Sequence, residues 1–194
     1  MDTILLSTRA DQKEQDIFRT ISLTAVLTGT LDMIAANIHF YFDTGRGAAL
    51  RLTSTDGPVS FLTYFTKGGA ARLFRYIGKA IIDPATNEKL LLVWGVVFHY
   101  IIAFLFTAFL FLVYPKAARW LKNKFVISFV YGLFIWAVMN LVVVPLSNHN
   151  NFPSTLKNAV ISDLILTIMI GLPVALIAHR FYSKRRAMGR NSYG

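Results

Sequence analysis

Residues 21–41 read ISLTAVLTGTLDMIAANIHFY, and this stretch decides the fold. It is an apolar run of the length needed to cross about 30 Å of hydrocarbon as a helix, and it carries a carboxylate, Asp32, near its middle. At heptad spacing Ser22, Ala25, Gly29, Asp32, Ala36 and His39 share one stripe, while Leu23, Leu27, Leu31 and Ile34 spread over the rest. A helix that is apolar nearly all round belongs in lipid or in a buried core. The small residues beside the acid mark where other helices pack.

The rest of the chain repeats that design. Of its 194 residues 55% are hydrophobic and 15% charged, which is too apolar for an ordinary soluble domain. The apolar residues gather into four runs, read as spans over 18–41, 90–114, 125–146 and 158–181. Each carries a small-polar stripe. In the second it is Gly95, His99, Ala103 and Thr107; in the third Ser128, Gly132, Trp136 and Asn140; in the fourth Ala159, Asp163, Thr167, Gly171, Ala175 and His179. Pro173 inside the fourth predicts a kink. A short basic turn, 115–124, makes the second and third spans antiparallel neighbours.

Between the first two spans lies a connection too long to be structureless. Asp56-Gly57-Pro58 reads as a helix start, and the pattern from Ala70 to Ile82 is amphipathic. Arg72, Arg75 and Lys79 share one stripe of it, placed to meet lipid headgroups. The segment 58–82 is therefore an interfacial helix or a short helix capping the bundle, and Asp83-Pro84 ends it. The fold class is all-α: a single integral membrane domain over 1–194, with four transmembrane helices in a bundle plus an amphipathic interfacial helix between the first and second.

The net charge of +10 comes from basic residues at the ends of the apolar runs rather than in one soluble module. That pattern fits anionic lipid and argues against nucleic acid as a partner. With both termini cytoplasmic, the cytoplasmic side holds twelve of the 20 Lys and Arg residues, so that orientation is expected. There is no cysteine, hence no disulfide framework and no thiolate chemistry.

From Phe74 onward the chain resembles a family of small bacterial inner-membrane proteins of the YagU-like kind. The residues that carry the resemblance are the run Phe98 to Phe104, Tyr131-Gly132, Trp136, Met139-Asn140, Val144-Pro145-Leu146-Ser147 and Gly171-Leu172-Pro173, with Gly29-Thr30-Leu31-Asp32 in the first span. The resemblance implies a four-span protein of the bacterial inner membrane and brings no established activity with it.

Ionisable groups at membrane depth are costly, so function is sought there. Taking about 1.5 Å per residue from each span's midpoint, Asp32 lies some 3 Å and His99 about 4 to 5 Å outward of centre, with Asn140 near 7, Asp163 near 10 and His39 near 13. Asp32, His39, His99, Asn140 and Asp163 are thus candidates for binding a ligand or a proton in one outward-facing polar cleft. Asp32 and His99 form its floor, in contact directly or through one water. Alternatively these groups are glue between helices. Donors spread over about 10 Å of depth could not all reach one ion, so neither a metal site nor any cofactor is expected.

No HExxH pair, GxSxG elbow, Walker loop or dinucleotide fingerprint occurs. The first reading is a small transporter or proton-responsive protein. The second is a non-catalytic component that binds membrane lipid, a second copy of itself or a partner membrane protein. A membrane enzyme ranks behind both.

Overall fold

The computed structural model describes residues 2–42, 69–83, 85–147 and 156–190. Every regular element among them is helical. Helix α1 is Asp2–Phe42, α2 is Gly69–Ile81 and α3 is Glu88–Leu121. Helix α4, Lys124–Leu146, contains a π-helical segment at Met139–Val143. Helix α5 (156–190) joins Leu156–Leu166, a second π segment at Thr167–Gly171 and Leu172–Arg190. Four of the five are long and apolar enough to cross a membrane, over Glu14–His39, Glu88–Leu121, Lys124–Leu146 and Ala159–Ala187.

The side-chain distribution is that of an inside-out bundle. Leu23, Leu105, Leu112, Phe129 and Leu146 are all more than half exposed, whereas small and hydroxylated residues such as Thr24, Ala25, Thr28, Ala103, Thr107 and Ser128 are buried. Hydroxyls survive burial because they bond to their own helix. Thr24 donates to Thr20 O, Thr28 to Thr24 O and Thr107 to Ala103 O, each within 2.9 Å.

A continuous apolar core fills one end of the bundle. Leu110, Phe111 and Tyr114 of α3 meet Ile127, Tyr131 and Ile135 of α4 and Val174, Ala175 and Ala178 of α5. At the opposite end the helices part around a cavity, with α2 as one of its walls. Glycine lets α2 and α3 lie backbone to backbone as an antiparallel hairpin: a methyl on Gly78 would overlap Leu91 O, and one on Gly95 would overlap Phe74 O. The turn between them is closed by the Asp83 carboxylate on Ala85 N, and Asn87 caps α3 through Lys89 N.

Proline accounts for where the helices depart from expectation. The residues after Tyr114 read as a turn, yet α3 runs on through Pro115 to Leu121, and the turn shrinks to Lys122 and Asn123. Pro115 has no N–H to give Phe111 O, and the Tyr182 hydroxyl donates to that carbonyl instead, at 2.7 Å. With the orphan acceptor satisfied, the helix has no reason to stop. Pro145 and Pro173 are accommodated differently: each stands two residues beyond a π segment, where a wider turn re-routes the ladder around the missing donor. The polar lead-in before the first span is likewise helical, since α1 begins at Asp2. Residues 58–68 of the anticipated interfacial segment lie outside the described residues.

Candidate functional site

The cavity has a volume of about 580 Å³ and lies between α1, α2, α3 and the π segment of α4. Asp32 and His99 both line it, together with Tyr76 and Ser147; Leu73, Ile77, Ile102, Met139 and Val142 are among its apolar residues. The sequence reading expects a polar cleft. The structure shows an apolar chamber with two ionisable groups set into its wall.

Close approach of α1 and α3 builds the ionisable corner. A methyl on Gly29 would come within 3.1 Å of Ala103 Cβ and the Tyr100 ring, so glycine lets α3 draw this near without displacing either side chain. His99 then reaches the Gly29 carbonyl, with Nε2 at 2.8 Å from the oxygen. A carbonyl can only accept, so Nε2 carries a hydrogen and donates it, and Nδ1 is left as the nitrogen that can gain or lose a proton. Phe74 of α2 meets the His99 ring edge to face, with centroids 5.9 Å apart. Next to it Thr30 gives its hydroxyl hydrogen to Val26 O and so accepts from Tyr100 Oη, at 3.0 Å.

Asp32 and His99 share the cavity wall without bonding directly: among the described residues no hydrogen bond or ion pair joins them, and Nε2 goes to Gly29 O, one turn earlier on α1. The other three candidates are not gathered here. Asn140 turns its amide back onto its own helix, donating to Trp136 O at 2.9 Å. His39 is not among the residues that line the cavity.

Asp163 belongs to a different seam, between α4 and α5. There Gly132 abuts Thr167 and Gly171 abuts Ser128, an antiparallel register that sets Trp136 level with Asp163. Trp136 Nε1, Asp163 Oδ1 and Thr167 Oγ1 are all buried without a hydrogen-bond partner among the described residues. Trp136 and Thr167 appear in the sequence stripes, but nothing in the sequence sets them apart from packing residues.

Among the described residues no three His, Cys, Asp or Glu side chains converge as a metal site would require. Of the cations expected on one stripe of α2, Arg75 pairs with Glu88 across the hairpin to α3, while Arg72 and Lys79 also have interactions of their own. The chain matches no protein-family model, no curated protein and no solved structure.

Proposed function

We propose that this is an integral membrane protein, of the bacterial inner membrane as the resemblance implies, that binds a small amphipathic ligand in the chamber between α1, α2, α3 and α4. The observation that carries this reading is the Asp32 carboxylate set beside His99 in a mainly apolar wall. A carboxylate in such surroundings loses hydration and regains stability by taking a proton or by meeting a cation. The apolar walls supply the complementary half of the recognition, burying a hydrocarbon body while Asp32 meets its positive end. His99, oriented by Gly29 O, offers Nδ1 as a second proton-binding atom beside the acid. A site of this kind exchanges protons for a lipophilic cation, which is the elementary step of a small proton-coupled transporter or a proton-responsive protein.

The test uses a dansylated alkylammonium and its neutral amide analogue as probes, with purified protein in nanodiscs. Wild type should bind the cation at least about tenfold more tightly than the amide, equivalent to roughly 1.4 kcal/mol. Asp32→Asn should equalise the two while leaving the amide affinity unchanged. Equal affinities in wild type, or no binding of either probe, would sink the reading.

The mainly apolar lining also favours a second reading, a non-catalytic component whose chamber holds part of a lipid, with α2 lying at the membrane interface. Retention of both probes with no preference for charge is the outcome that reading expects.

A further inference from the structure

The opposite end of the bundle holds a second concavity, of about 490 Å³, lined by Pro115, Ala118 and Arg119 of α3 and by Tyr182, Arg185 and Arg186 of α5. It exists because α3 continues past Pro115 alongside α5. The bond from the Tyr182 hydroxyl to Phe111 O ties the two helices together just beneath it. We infer that this basic pocket binds a phosphate group, either that of an anionic lipid headgroup or that of a soluble phosphate compound.

Three features carry the inference. Three arginines from two helices line one concavity, so their mutual repulsion falls when an anion enters, and planar guanidinium forks match phosphate oxygens in pairs. Arg185 is held in place by stacking over the Phe181 ring, 4.4 Å from its centroid, which lowers the entropy lost on binding. The pocket also sits at the level where apolar helix gives way to charge. Trp120, 87% exposed, and Tyr182 lie at this end, as in the aromatic belts of membrane–water interfaces. A headgroup there would place its phosphate among the arginines and its glycerol against Pro115 and Ala118.

This site is remote from the Asp32 chamber, so its test is independent of that one. Purified protein is exchanged into neutral detergent, and lipid adducts are counted by native mass spectrometry with phosphatidylglycerol and with phosphatidylcholine. Inorganic phosphate is titrated separately, with thermal stability as the readout. Phosphatidylglycerol should be retained in preference to phosphatidylcholine. Replacing Arg119, Arg185 and Arg186 together with Gln should weaken retention roughly a hundredfold, at about 1 kcal/mol per cation. The control variant replaces Lys116, Lys124 and Lys184 with Gln, removing the same charge from the same end outside the pocket, and should lose only a few-fold.

Preference for the lipid with no response to inorganic phosphate assigns the pocket to a headgroup. A saturable stabilisation by inorganic phosphate that the arginine variant lacks assigns it to a soluble phosphate compound. Equal losses in the two triple variants, or no preference for phosphatidylglycerol together with no phosphate response, would overturn the inference. Because all six residues lie at helix ends, a size-exclusion profile matching wild type is expected for both variants.

Discussion

Lys122 is the one non-glycine residue in left-handed backbone among the described residues, at φ 50°, where it closes α3 before Asn123 caps α4. A side chain in that conformation costs about 1 kcal/mol, and glycine avoids the cost. Lys122→Gly should therefore raise stability by about 0.5–1 kcal/mol, measured as the midpoint of thermal unfolding in detergent. A lower midpoint would mean that the lysine side chain itself holds the turn. Asp32 and His99 are legible as candidates because an acid and a histidine stand out in apolar runs, and their near-equal depths follow from helix rise alone. What helix rise cannot supply is rotation and reach. Asn140 shares a small-residue face, yet its amide bonds Trp136 O on its own helix. Asp163 faces the α4–α5 seam rather than the chamber. Trp136 and Thr167 carry no signal, because an indole and a hydroxyl on a packed face are ordinary until their neighbours are known.

Helix α2 is held to α3 through glycine. A methyl on Gly95 would meet the carbonyl of Phe74, which is backbone and cannot swing aside. Gly95→Ala should push α2 off α3 at a cost of about 2–3 kcal/mol. Hydrogen exchange should then rise across residues 69–81 while that of α4 and α5 stays unchanged. Exchange indistinguishable from wild type would show that the hairpin is held by other contacts. The four long helices are readable from the chain because each is an uninterrupted apolar run, and that signal survives any packing arrangement. Their ends are less readable. Proline at 115 looks like a stop, and only the Tyr182 hydroxyl, some seventy positions along the chain, removes the reason to stop. The amphipathic pattern of 70–82 marks a helix but is silent about which neighbour its apolar face covers. Leu73 and Ile77 turn out to wall a chamber.

On the scale of the whole molecule, the basic residues and the two concavities divide the bundle into distinct ends. A chain without cysteine makes that polarity easy to test, since any thiol introduced is the sole one. With both termini cytoplasmic, a cysteine at Ala85 should react with a membrane-impermeant maleimide on intact cells, and one at Asn123 should react only after permeabilisation. The reverse pattern would invert the orientation, so that the Asp32 chamber would open towards the cytoplasm. Chamber and bundle are also linked through the π segment Met139–Val143, because Met139, Val142 and Val143 are part of the chamber wall. A π segment is a helix carrying one surplus residue, and Pro145, which has no N–H to return to the ladder, fixes where that surplus sits. One residue is about 100° of helical turn, so the side chains that α4 presents to the chamber are set by this insertion. The chamber wall thus takes its shape from a dislocation in its own helix.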